Sequence, residues 1–192
     1  MAKTRTRILN AAKAIHRRTG VDGLSMRRIA AKLGVTAPAI YHHFRNRDAL
    51  LEAVSDEGFE RLVARLGRLS SARPSLQQCL DVLIVYREFA LNEPHVFAIM
   101  FMTPRPRTRQ FPDDFRARRS AAFSLLADRV AAAMAARALR EDDPNEVALT
   151  LWAHAHGLVL LQRGGRFGEQ LAPYRRVFDR SLGRLMAGIT AH

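Results

Sequence analysis

Apolar residues recur along nearly the whole chain at spacings of three and four, the period of a helix with one buried face, and strict alternation bounded by turns is missing. The pattern predicts an all-α protein. A first helix over 3–19 buries Ile8, Ala11, Ala12 and Ile15 and stops at Gly20. A pair of short helices follows. Beyond Asn46 a helix continues to about Leu69, a rod roughly 35 Å long, with Leu51 and Val54 facing the chain before it and Phe59, Leu62, Val63 and Leu66 facing what comes after. Ser75 opens a helix to Asn92 that ends at Glu93-Pro94, and His95 to Met102 is a short apolar segment. Thr103 to Pro112, rich in Pro and Arg, reads as a loop, and Asp113 to Leu139 as one long helix. A helix from Val147 to about Arg163, opened near Pro144 and closed by Gly164-Gly165, is apolar almost all round. Pro173 starts the last helix, with a stripe of Tyr174, Val177, Phe178, Leu182, Leu185 and Ile189.

The short pair lies within Leu24 to Glu52 and is the most informative stretch. Ser25 is placed to cap a helix whose Ile29, Ala30 and Leu33 share a face, and Gly34 breaks it. After Val35, the Thr36 hydroxyl is placed to cap a second, brief helix, which tolerates Pro38 in its first turn. Leu33, Val35, Ile40 and Phe44 supply apolar pegs, leaving Thr36, Ala37, Pro38, Ala39, Tyr41, His42 and His43 facing out. Hydroxyl, methyl, phenol and imidazole groups on an outward face suit base edges and phosphates.

Any α hairpin with a glycine turn gives similar spacing, so charge has to separate a DNA reader from a packing motif. The formal net charge is +13, and the first fifty residues hold eleven Lys or Arg against Asp22 and Asp48, a local excess of +9. That concentration beside a groove-sized helix favours a polyanion.

The remaining composition narrows the alternatives. With 192 residues and 48% hydrophobic content the chain can bury a substantial core. Cys79 is the only cysteine, so no intrachain disulfide forms, and a reducing, cytoplasmic location is expected. Asn10, Lys13 and His16 interrupt the apolar run a signal peptide needs, and no run is long enough to span a membrane. No enzyme site is evident. His42-His43 and His154-x-His156 lack the separation of three or four that puts two metal ligands on one helical face, and neither HExxH nor CxxC occurs. Phosphate-loop and nucleophile-elbow patterns are likewise missing, so neither a metal nor a cofactor is expected.

Leu24 to Glu52, with GVTAPAIYHHF at its centre and NRDALLEAV following, resembles the DNA-binding domain of TetR/AcrR-type transcriptional regulators over about the first 55 residues, including the corner Gly20-Val21-Asp22-Gly23. Trp152, His156 and Gly157 in LWAHAHGLVLLQRGGRF resemble the regulatory domain of one subgroup. The resemblance implies a three-helix helix-turn-helix domain over 1–50 and a helical ligand-binding and dimerisation domain over 51–192. It implies that Thr36, Ala37, Pro38 and Ala39 face the bases and that Tyr41, His42 and His43 touch phosphates and some bases. Arg27 and Arg47 fall at phosphate- or base-contacting positions, and Lys3, Arg5 and Arg7 would form a mobile basic arm. Where many relatives carry a polar side chain this chain has Ala37, which shifts specificity toward Arg27, Tyr41 and DNA deformability.

The same resemblance gives the body its expected roles. The last two helices carry more apolar surface than one chain needs, which predicts a homodimer reading a palindromic operator. Tyr86, Phe89, Phe97, Met100, Phe101, Phe123, Trp152 and His156 lie on helices that converge in such a body and would line a site for a small hydrophobic or aromatic effector, unless they simply fill the core. The expected function is a repressor released by that effector. The competing reading is a nucleoid-type protein that coats duplexes through charge, with the Arg105, Arg107 and Arg109 loop as its best support.

Overall fold

The computed structural model describes residues 2–20, 23–72, 75–103 and 108–191, Ala2 by its backbone alone. Val21 and Asp22 of the glycine corner, and Arg105 and Arg107 of the basic loop, lie outside the described residues. The helices are α1 (Ala2–Thr19), α2 (Met26–Leu33), α3 (Ala37–Tyr41), α4 (Arg47–Leu66), α5 (Ser75–Asn92), α6 (Pro94–Phe101), α7 (Asp113–Arg116), α8 (Ala121–Ala135), α9 (Pro144–Arg163) and α10 (Leu171–Ile189). The only extended pairing among the described residues is an isolated antiparallel bridge between Leu139 and Thr190. None of these helices is long and apolar enough to cross a membrane.

The chain divides into two compact units. The first comprises Met1–Arg61 and Asn92–Thr108, so α4 stays in it as far as Arg61 and α6 joins it. Its core is built on Ile8, Leu9 and Ala12 of α1, Ile29 of α2, Ile40 of α3, Phe44, and Leu50, Leu51 and Val54 of α4, with Ile99 of α6 packed among them. The second comprises Leu62–Leu91 and Arg109–His192. There α9 packs against both α8 and α10, which explains why its sequence is apolar on more than one side. Leu151, Ala155 and Val159 of α9 and Tyr174, Phe178 and Leu182 of α10 are fully or almost fully buried.

The single helix expected over Asp113 to Leu139 is interrupted. After α7 the chain turns through Arg118, whose φ of 58° is left-handed. Its guanidinium grips both carboxylate oxygens of Asp128 at 2.8 Å, while Arg119 reaches Asp114 at 2.7 Å. At the other end α8 stops at Ala135, because Leu139 leaves to pair with Thr190. Side-chain ties across the turn and the pairing with Thr190 thus override an Ala-rich helical preference. α4 ends at Leu66, three residues short of the expected limit, and α10 begins two residues before Pro173, which still falls in the first turn.

Candidate nucleic-acid interface and aromatic cluster

The two-helix unit is assembled from local hydrogen bonds. Ser25 is extended, and its side-chain oxygen accepts from the Arg28 amide at 3.2 Å, satisfying one orphan donor of α2. Gly34 ends α2 at φ 67°, a left-handed conformation that a glycine adopts without steric cost, and the Val35 amide then bonds back to the Ala30 carbonyl at 3.1 Å. That bond turns the backbone inward and leaves the Val35 side chain 41% exposed, so it is not a peg of the crossing. Ile40 and Phe44 are buried as expected, and Leu33 is partly so. The Thr36 hydroxyl makes no cap. Its carbonyl accepts from the Ala39 amide instead, which frees the hydroxyl on the outer face. Asn46 caps α4 through its side-chain oxygen, which accepts from the Ala49 amide at 2.8 Å.

Thr36, Pro38, Ala39, Tyr41 and His42 are exposed on α3 and the turn after it, as are Lys3, Arg5 and Arg27. Ala37 is half-buried and packs on the core, because it begins α3 where that helix meets the domain; His43 and Arg47 are also half-buried. Lys3, Arg5 and Arg7 belong to α1 and are helical, in place of the arm expected of them, since the buried stripe of α1 starts only one residue beyond Arg7. The first turn of α1 carries no acidic residue, so these cations stand at the positive end of the helix dipole.

In the first unit Lys13 pairs with Glu57 and Arg61 with Glu93, while the cations around α3 differ. Among the described residues no ion pair engages Lys3, Arg5, Arg7, Arg27, Lys32 or Arg45. In the second unit Arg87, Arg116, Arg118, Arg119 and Arg175 all pair with carboxylates. The cations around α3 are therefore open to an outside anion, whereas several of those in the body are engaged internally.

Of the residues expected to line an effector site, five lie in the second unit and three in the first. Tyr86, Phe123, Trp152 and His156 come together in the second unit: the Tyr86 hydroxyl lies 2.6 Å from His156 Nδ1, and the Trp152 ring is 5.7 Å from the His156 ring and 6.3 Å from that of Phe123. Burial pushes the Tyr86 hydroxyl far above its ordinary range and His156 below its own. Both groups are therefore held in their neutral forms, and the imidazole tautomer sets which of them donates. Phe89 is fully buried beneath the Arg65 guanidinium, 5.0 Å from its ring centre, and takes no part in this cluster. Phe97, Met100 and Phe101 belong to α6 in the first unit, where Phe101 packs edge-on to Phe59 and Met100 against Gly58.

Models of known protein families match both regions: "Bacterial regulatory proteins, tetR family" over residues 8–54, and "Tetracyclin repressor-like, C-terminal domain" over residues 80–185, more than half of the chain. The chain belongs to the TetR family. The Trp-His-Gly subgroup is not distinguished by these matches. Over 49 residues the chain is 47% identical to the tetracycline repressor protein class A from transposon 1721 of Escherichia coli, covering 26% of this chain and 23% of that repressor. The chain thus spans only about a quarter of the length of that curated relative. A protein of unknown function from Rhodococcus sp. RHA1 superimposes with a TM-score of 0.79 at 29% identity, covering 96% of this chain and 94% of that one. A regulator described as putative, from Saccharomonospora viridis and solved in complex with choline, shares the fold with a TM-score of 0.73 at 21% identity, over 100% of both chains.

Within this TetR-family body, sequence reasoning missed Phe111 and Phe115. Their rings lie 5.6 Å apart, and Phe115 stands 4.8 Å from Phe123 and 6.4 Å from Trp152, extending the cluster toward the surface. Their spacing of four was visible, but it fell at the edge of a segment read as loop. Tyr174 belongs to the apolar stripe of α10. It is fully buried, and among the described residues its hydroxyl has no hydrogen-bond partner.

Proposed function

We propose that this TetR-family protein is a sequence-specific DNA-binding repressor that acts as a homodimer through α9 and α10 and leaves its palindromic operator when a small molecule occupies the C-terminal domain. In this reading residues 1–50 bind DNA and 51–192 dimerise and respond, inside the cytoplasm. The observation that carries it is the pairing of an exposed α3 with surrounding cations that no ion pair engages. Thr36, Pro38, Ala39 and Tyr41 meet base edges, Ala37 seats the helix, and His42, His43, Arg27, Arg47 and Lys3 serve the phosphates, with Arg5 on α1 at the edge of the same surface.

A single five-residue helix touches few bases, so a twofold-related copy is needed to read a site of useful length. Effector release follows from thermodynamics. To reverse a 99:1 preference, a ligand must bind the DNA-incompetent form more tightly by about 5.5 kcal/mol. The cluster of Tyr86, Phe123, Trp152 and His156 offers an aromatic wall with a polar end for such a ligand, and the choline-bound neighbour supports a small-molecule role for a body of this fold.

Selection of duplexes from a random pool at near-physiological salt tests the reading. Enrichment of an inverted repeat is expected; an unenriched pool would favour the charge-driven coating protein, a reading that family membership leaves without support.

A further inference from the structure

The guanidinium of Arg5 lies over the ring of Phe44, 5.1 Å from its centre. Arg5 is three and four residues before Ile8 and Leu9, so it continues the buried face of α1 by one turn and comes out at the edge of the core. Phe44 is 4% exposed and closes the turn after α3, where its amide bonds to the Ile40 carbonyl at 3.0 Å. Tyr41 and His42, both exposed, are carried on the same turn, and the His42 amide bonds to the Pro38 carbonyl at 3.0 Å. The cation therefore covers a ring that anchors the C-terminal end of the recognition helix.

We infer that Arg5 is a positioning residue for DNA reading: it holds the turn bearing Tyr41 and His42 by stacking on Phe44, and its contribution to binding comes through that stack instead of through a phosphate. The inference rests on the DNA-binding reading above. A flat, weakly hydrated guanidinium stacks on an aromatic face better than a lysine ammonium does, so the role depends on shape as well as charge.

Salt dependence separates the two roles. Each phosphate contact contributes about 0.9 to the slope of log affinity against log salt, so losing one contact per protomer of a dimer flattens it by roughly 1.8. A lost stack leaves the slope alone. The experiment measures affinity of full-length protein for the selected duplex and for a copy mismatched at one base pair, from low to near-physiological salt, with the active fraction fixed by stoichiometric titration. For Arg5→Gln the expected result is affinity lower by about five- to thirtyfold, as two exposed cation–π contacts allow, with an unchanged slope and a narrowed ratio between matched and mismatched duplexes. A loss of folded protein would scale both duplexes equally and leave that ratio untouched. Arg5→Lys keeps the charge and is expected to weaken binding with the same unchanged slope, and Phe44→Leu combined with Arg5→Gln is expected to cost less than the sum of the two.

A flattened slope in Arg5→Gln, wild-type affinity in Arg5→Lys, or strict additivity with Phe44→Leu each overturns the inference while DNA binding stands. The Lys arm decides even if Phe44→Leu does not fold. Wild-type protein that enriches no duplex overturns the DNA reading and takes this inference with it.

Discussion

Gly58 of α4 lies against Met100 of α6 so closely that a Cβ built on the glycine would come within 2.6 Å of Met100 Sδ and 2.8 Å of Val96 Cγ1. Met100 is 2% exposed and Val96 8%, so neither has free space to retreat into. Two effects oppose each other at this position. Replacing a mid-helix glycine by alanine gains about 1 kcal/mol of helix preference, whereas overpacking a filled core costs about 1–3 kcal/mol. Gly58→Ala is therefore expected to lower stability on balance, read as a lower denaturant midpoint at unchanged slope. Combined with Met100→Ala, which opens room for the added methyl, the loss should be smaller than the sum of the two single changes.

The caps of the reader make a differential prediction. Ser25→Ala removes the acceptor of the Arg28 amide and should cost about 1 kcal/mol. At Thr36 the same change removes a hydroxyl that caps nothing, so stability should move by less than about 0.5 kcal/mol while DNA affinity falls. Equal stability losses in thermal or denaturant melts would show that the Thr36 hydroxyl is structural after all.

These two positions also show what could be read from the sequence and what could not. Ser25 and Gly34 are satisfied by partners within five residues, so residue type and spacing were enough to place α2 and its end. Val35 and Thr36 differ from expectation because two turn bonds, Val35 amide to Ala30 carbonyl and Ala39 amide to Thr36 carbonyl, decide which way the backbone faces before α3. Farther along, the break at Arg118 depends on Asp128, ten residues away, and the end of α8 on Thr190; neither tie leaves a local signal. The candidate effector residues share one chemistry, aromatic or sulfur-bearing at helical spacing. Periodicity could not reveal that Phe97, Met100 and Phe101 pack with α4 in the first unit while Trp152 and His156 meet Tyr86 in the second.

Acid should weaken the second unit at an identifiable place. Arg175 holds the Glu88 carboxylate with two hydrogen bonds of 3.0 and 2.7 Å, and that pairing, helped by Arg87, lowers the Glu88 pKa below its ordinary value. A depressed carboxylate stabilises the folded state above the ordinary carboxylate range, and the contribution disappears as pH falls through the depressed pKa. Since Arg175 is 42% exposed, solvent screening keeps the effect to about 0.5 kcal/mol. Denaturant melts of wild type and Glu88→Gln should differ at pH 7 and converge once pH falls below the depressed Glu88 pKa; a gap that persists in acid would assign the loss to packing.

Cys79 is expected to be chemically silent in the folded protein. It is fully buried, and burial pushes its thiol up to about 11, with Arg129 offsetting only part of the effect. Because the thiolate is the reactive form, a thiol reagent at pH 7 should label the chain only as it unfolds, with labelling tracking the urea transition. Mild peroxide should leave DNA affinity unchanged. Fast labelling of native protein would show that the thiol is reached without unfolding.

Tyr41 offers the most direct test of the reading head, because it can be changed with little consequence for the fold. Its neighbour Ile40 is 1% exposed and fixes α3 to the core, whereas the Tyr41 ring is 50% exposed. Truncation to alanine should therefore move stability by no more than about 0.5 kcal/mol. If α3 enters the major groove, the same change removes both a ring and a hydroxyl from the DNA surface, and the selected duplex should lose its advantage over a scrambled one. Tyr41→Phe separates the two groups: a hydroxyl on a phosphate would cost affinity about equally for every duplex, whereas a ring against a thymine methyl would keep the sequence preference intact. Anisotropy titrations on matched and scrambled duplexes measure both quantities. Unchanged binding by Tyr41→Ala would mean that α3 does not face the bases, and the cations around it would then have to be serving some other polyanion.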